Sequence, residues 1–161
     1  MVKNTQKGFT LVELIIIMGI FSFLLGFITI NLINARKQAS INATITTLTS
    51  DVKQQQVKSM LGDNSGTVSN NGYGIYFEPN QYTLFKGSSH SPSDNLNLVI
   101  ELDGLEFSNV SFSGSKIVFL PGSGEVEGFI DGSNTITIRN IQSNEEKIIT
   151  INRYGVVTGV N

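Results

Sequence analysis

Residues 9–30 make an apolar run broken by a single charge, Glu13, and by no proline. As a helix rising 1.5 Å per residue the run extends about 33 Å, one hydrocarbon thickness, so it can cross a membrane. An acid near one end of such a segment costs free energy unless something pairs with it, which makes Glu13 a functional residue by default. The plainer alternative is that Glu13 lies at the interface and bends outward to water. Gly19, Ser22 and Gly26 fall at i, i+3 and i+7, which gathers small residues on one face where another helix can approach closely. Ordinary membrane-helix glycine is the alternative there.

The helix should continue past residue 30, because 31–61 holds neither proline nor glycine and Gly62 supplies a stop. Ile41, Ile45, Leu48 and Val52 recur at i, i+4, i+7 and i+11, a stripe suited to packing on a sheet. Ala35, Ala39 and Ala43 add a ridge of small residues. Arg36, Lys37, Gln38, Asp51, Lys53, Gln54, Gln55 and Lys58 supply the polar faces. A helix over 9–61 would be about 80 Å long, more than a small domain needs, so its first half must find partners elsewhere.

The remainder reads as one β domain. Residues 62–72 form a turn-rich loop and 87–95 a second, flexible one. Between and after them, strands are expected at 73–77, 81–86, 96–102, 109–112, 116–120, 125–130, 135–139, 147–152 and 156–158. Turn signals such as Asp103-Gly104, Ser113-Gly114, Asp131-Gly132 and Tyr154-Gly155 separate most of them. Thr135 to Arg139 and Ile149 to Asn152 alternate as strands with one wet face do.

Catalysis needs convergent groups with tuned proton affinities, and the inventory for that is poor. His90 is the one histidine, in a Ser/Pro-rich loop, and reads as a solvated side chain rather than a base or ligand. No cysteine is present, which excludes a thiol nucleophile, disulfides and the usual structural zinc sites. Asp94, Asp103, Glu106, Asp131 and Glu145 sit near turns, but none shows the spacing of a calcium loop. No phosphate-binding glycine pattern occurs. An enzyme is the least favoured class, and no cofactor or metal is expected.

The octapeptide Lys7-Gly8-Phe9-Thr10-Leu11-Val12-Glu13-Leu14 resembles the class III leader of type IV prepilins and type II secretion pseudopilins. In that family a membrane aspartyl peptidase cuts after the glycine and methylates the new amino terminus. The resemblance implies cleavage between Gly8 and Phe9 and an N-methylated Phe9. Glu13 then lies four residues on, about 6 Å up the helix, from a terminus carrying an ammonium and the positive end of the helix dipole. A neighbouring subunit shifted by about one turn would bring its ammonium beside Glu13, making the acid a registration device for a helical stack. Loss of residues 1–8 removes Lys3 and Lys7, leaving nine basic against thirteen acidic residues, a formal −4 in place of −2. That mild acidity disfavours a broad nucleic-acid footprint.

Lys3 and Lys7 before the run and Arg36 and Lys37 after it nearly balance the positive-inside count. The leader resemblance decides the orientation: N terminus cytoplasmic, remainder outside the inner membrane. The segments 117–124, 128–130, 135–139 and 148–157 together resemble the C-terminal domain of the H-type minor pseudopilins and their pilus counterparts, although many relatives have an arginine where this chain has Val156. The implied architecture is α+β and pilin-like, a long N-terminal helix packed on an antiparallel β domain. Its segments are a leader (1–8), a membrane or filament-core helix (9–30), an amphipathic continuation (31–61) and the globular domain (62–161). The implied partners are the prepilin peptidase and methyltransferase, other pilins or pseudopilins, an inner-membrane assembly platform, and lipid before assembly. Two functions follow: a filament subunit of a pilus or secretion pseudopilus, or a β-domain binding or adhesion module permanently anchored by one membrane helix.

Overall fold

The computed structural model describes residues 8–62 and 72–161, with the backbone alone for 27–39. The leader before Gly8, the loop core 63–71, and the side chains expected from Ala35 to Ala39 therefore lie outside the described residues. The chain divides into two compact units, Met1–Gln38 and Ala39–Asn161.

One helix, α1, runs Leu11–Leu61. It ends as the sequence predicts: Gly62 takes φ 69°, a left-handed conformation that costs glycine little, and its N–H donates to the Lys58 carbonyl at 3.1 Å. Strands follow at β1 (Tyr73–Glu78), β2 (Gln81–Lys86), β3 (Leu98–Glu101), β4 (Leu105–Val110), β5 (Lys116–Phe119), β6 (Thr135–Asn140), β7 (Glu146–Ile151) and β8 (Val157–Val160), with a short 3-10 turn at Ser113–Ser115. They form two antiparallel four-stranded sheets, ordered β3-β2-β1-β5 and β4-β6-β7-β8.

Two strand expectations change. The fourth strand covers Leu105–Val110 rather than 109–112. A register shift between Phe107 and Asn109 breaks its period of two, which hid its first half in the sequence. The segment 125–130 is not a strand; only Val126 pairs, in a single bridge to Phe119. Gly122, Gly124 and Gly128 flank that bridge at φ 78°, 67° and 62°, values a continuous strand cannot accommodate.

Within the second unit, the predicted stripe Ile41, Ile45, Leu48 and Val52 is buried. It joins one apolar cluster with Ile75, Tyr82, Ile117 and Phe119 of the first sheet and Leu105, Ile136, Ile138 and Ile149 of the second. Phe107 meets Phe77 edge-on at 5.1 Å between centroids and Tyr82 at 6.2 Å, so aromatic contacts span the two sheets. The stripe does not stop at Val52. Gln55, Gln56 and Ser59 continue it at i+3, i+4 and i+7, and all three are buried. Each donates to backbone: Gln55 Nε2 to the Gly74 carbonyl at 3.0 Å, Gln56 Nε2 to Gly124 at 2.9 Å and also to Tyr154, and Ser59 Oγ to Phe119 at 2.7 Å. Gln55 is thus a docking residue, not part of a wet face. Gly155 packs closely against this seam, since a Cβ there would lie 2.6 Å from the Phe119 ring and 2.9 Å from Gln56 Nε2.

Candidate functional site

The start of α1 builds the site. Thr10 stands immediately before the helix as its N-cap, where the first backbone N–H groups lack intrahelical partners. Its Oγ1 accepts from the Glu13 N–H at 3.2 Å. In return the Glu13 carboxylate accepts from the Thr10 N–H at 3.3 Å and from the Thr10 hydroxyl at 3.4 Å. This is a reciprocal capping box, encoded by Thr10-Leu11-Val12-Glu13. The pattern is visible in the sequence and gives Glu13 a second role, within its own helix. It also explains why the helix begins at Leu11 rather than Phe9: the cap fixes the boundary.

Phe9 lies just outside the helix and is 77 % exposed. The apolar residues behind it are exposed on every side, the least so being Leu25 at 48 %. Gly8, Gly19 and Gly26 would each accept a Cβ with nothing within 4 Å. Among the described residues nothing therefore demands glycine at these three positions. Gly19, Ser22 and Gly26 share a helical face, as their spacing requires. Ser22 Oγ, however, turns back to donate to the Met18 carbonyl at 2.8 Å, so its hydroxyl is spent on its own helix.

Among the described residues no helix is long and apolar enough to cross a membrane. The expected span ran to residue 30, and the side chains of 27–30 lie outside the described residues. What is described, 11–26, is about sixteen residues where a span takes about twenty.

The β domain holds the other sequence candidates apart. His90 is half-buried rather than solvated. Its ring stacks on Tyr76 with centroids 4.4 Å apart and planes 12° from parallel, and meets Phe85 at 5.6 Å. The 87–97 loop is accordingly tied down: Asn97 Nδ2 donates to Ser91 at 2.7 Å and Lys116 Nζ to Ser88 at 3.2 Å. Beneath it Gly74 is required, because a Cβ would fall 2.5 Å from Phe85 Cζ.

Of the turn carboxylates, Asp94 accepts from the Leu96 N–H at 2.9 Å. Glu106 sits in β4 and pairs with Arg139, whose Nε donates to it at 2.8 Å. That hydrogen bond and the charge of Glu106 hold the guanidinium above its ordinary value. Tyr82 donates to Asp51 at 2.6 Å, and burial first, then that bond, raises its phenol above the usual tyrosine range. Among the described residues no group of three His, Cys, Asp or Glu could hold a metal ion.

Residues 3–29 match the family model for the prokaryotic N-terminal methylation motif. The match spans Gly8, Phe9, Thr10 and Glu13 and supports a type IV prepilin-like protein, with processing by a prepilin peptidase and assembly with other pilins. No curated protein and no solved structure matches the chain.

Proposed function

We propose that the chain is a minor pilin or pseudopilin, a structural subunit of a type IV pilus or type II secretion pseudopilus. It is inserted as a precursor with its β domain outside the cytoplasm, cut after Gly8, N-methylated on Phe9, and drawn into a filament through its N-terminal helix. One observation carries the reading: behind a methylation motif stands a helix on which Leu11, Leu14, Ile15 and Phe21, apolar residues on different faces, are each more than half exposed. Helices exposed all round require lipid or other helices. A filament subunit needs the first before assembly and the second after it.

The geometry of Gly8 is consistent with a processing role, since a Cβ there would meet nothing within 4 Å among the described residues. Glu13 has two partners in sequence. In the single chain it closes the capping box with Thr10; in the stack it takes the Phe9 ammonium of an adjacent subunit, a pair strengthened by the apolar surroundings. The C-terminal pattern, with Gly155 packed against Phe119 and Gln56, favours the H-type minor subclass. The role is structural, not enzymatic.

Mass spectrometry of the protein taken from cells tests this directly. The expected product starts at Phe9 and carries one extra methyl group. An intact Met1 would instead assign the chain to a permanently anchored binding module.

A further inference from the structure

Strand β5 sends Ile117 and Phe119 into the core, so its period of two brings Lys116 and Val118 to the other face of the sheet. There it contributes to a cleft of about 660 Å³, a size usual for small-molecule sites. The cleft is walled by Ser113 of the 3-10 turn, by Ser88 and by the 127–133 segment. A second cleft of about 240 Å³ shares Ser88, Val118 and Glu127 with the first and extends to Gly72 and Pro121. The shared residues join the two into one elongated groove.

Hydroxyls line this groove together with one charge of each sign. Ser111 Oγ is spent on Thr135, from whose N–H it accepts at 2.7 Å. The hydroxyls of Ser88, Ser113 and Ser133 make no hydrogen bond among the described residues, and neither does the exposed Glu127 carboxylate. Lys116 Nζ gives one proton to the Ser88 carbonyl at 3.2 Å and keeps two. Apolar surface comes chiefly from Ile130, 59 % exposed. Both charges persist in the groove, so neither an anion nor a cation is favoured over a neutral ligand. The lining favours a molecule that donates and accepts along its length and carries C–H surface in between. An extended peptide would need an open strand edge, and the edge of β5 is taken: Glu127 N–H donates to Val118 and Leu120 N–H to Glu125, both at 2.8 Å, while Val126 bridges to Phe119. Recognition here falls to side chains, which suits the hydroxyl rim of a sugar.

We propose that this groove binds a linear, uncharged oligosaccharide. Glu127 accepts from ring hydroxyls and Lys116 donates to them, the three free serines extend the same pattern, and Ile130 covers the C–H face of a ring. The site belongs to the β domain alone, so it serves a polymerised subunit and an anchored chain alike.

Calorimetric titration tests this on the full chain, purified in a detergent without a sugar headgroup. The probes are chitotetraose, cellotetraose and maltotetraose, with tetragalacturonate as the anionic comparison and tetraalanine as the peptide one. At least one neutral tetrasaccharide should bind saturably, with half-saturation below about 1 mM. Glu127→Gln and Lys116→Ala each remove a charged hydrogen-bonding partner and should weaken that binding about tenfold or more. Ser113→Trp should abolish it by filling the cleft, and Lys58→Gln, outside the groove, should bind as the wild type does. Glu127→Gln breaks no hydrogen bond of its carboxylate among the described residues, so its effect reads the ligand even if Lys116→Ala loosens the loop at Ser88. Three results would overturn the proposal: no binding of any of the three neutral saccharides, tighter binding of tetragalacturonate or tetraalanine than of all three, or wild-type affinity in both Glu127→Gln and Ser113→Trp.

Discussion

Two described stretches of α1, 11–26 and 41–52, carry closely spaced apolar side chains, but they differ in exposure. Ile41, Ile45, Leu48 and Val52 are buried in the β domain, whereas Leu11, Leu14, Ile15 and Phe21 are more than half exposed. The spacing accounts for the difference. A stripe at i, i+4, i+7 and i+11 leaves the rest of the helix polar and commits one face to one sheet. An all-round apolar run commits no face, so a single sheet could cover only part of it. The later stripe is covered by the chain's own β domain, and the exposure of 11–26 is what the filament reading sets out to explain.

The variant expected to separate the halves most sharply is Gly8→Trp. A Cβ at Gly8 meets nothing within 4 Å among the described residues, and the position lies far in sequence from the β domain, which should retain its thermal transition while precursor accumulates and filament content falls to background. Cleavage proceeding at the wild-type rate would place the recognition elsewhere. Next in size is Glu13→Ala, which should leave insertion intact and deplete the subunit from sheared filaments. Stranding a buried charge typically costs about 3–5 kcal/mol, and every 1.4 kcal/mol is about tenfold, so incorporation should drop about a hundredfold or more. Incorporation at the normal level would leave Glu13 with the capping role alone.

In the later half the expected losses are of stability instead. Leu48→Ala removes a buried side chain and should cost about 2–5 kcal/mol, a large share of the 5–15 kcal/mol typical of a domain. Urea titration of the β domain reads this, and leader cleavage should be unaffected. Leu14→Ala, at a position 54 % exposed in the chain, should show the reverse pattern. If both variants shifted the same transition, the contrast between the halves would be lost.

How far this division could be read in advance varies along the chain. The helix, its stop at Gly62 and its buried stripe were legible because 3.6-residue periodicity and glycine chemistry are local signals. Gln55, Gln56 and Ser59 were not, because a stripe is recognised by its hydrophobicity and these continue it with polar side chains that donate to backbone far away in sequence, at Gly74, Gly124 and Phe119. The strand Leu105–Val110 was half concealed by its bulge. Of the site, Gly8, Phe9 and Glu13 are marked by the leader pattern, while Thr10 is marked only by Thr-x-x-Glu, a local helix-start signal that the leader pattern overlays. His90 was misjudged because nothing local tells a loop that it will fold back on Tyr76.

A smaller and pH-dependent effect belongs to the later half. The Tyr82 phenol, buried and donating to Asp51, is raised above its ordinary value of 10.0. A raised value means the folded state holds the proton more tightly than the unfolded one. The associated stability is complete below pH 10.0 and declines as pH rises above it. Denaturation midpoints should therefore fall through the alkaline range, and Tyr82→Phe should flatten that fall while losing some stability at neutral pH. An unchanged alkaline slope in the variant would move the titration to another group.

The least effect, and the finest test of the comparison, is expected from Thr10→Ala. Loss of an N-cap side chain costs about 1 kcal/mol, about a fivefold change in the local opening equilibrium, and should appear as faster amide exchange at Leu11 to Glu13 in the detergent-solubilised chain. Thr10→Ser keeps an acceptor for the Glu13 N–H and should restore protection. The two partners proposed for Glu13 make a further distinction. If an incoming Phe9 ammonium replaces the capping box in the filament, Thr10→Ala frays the free helix but leaves incorporation close to normal, because the assembled state no longer relies on that hydroxyl. If Glu13 keeps its bond to Thr10 throughout, Thr10→Ala and Glu13→Ala should damage incorporation alike, and the earlier half of α1 would be held by its own cap rather than by a neighbour's charge.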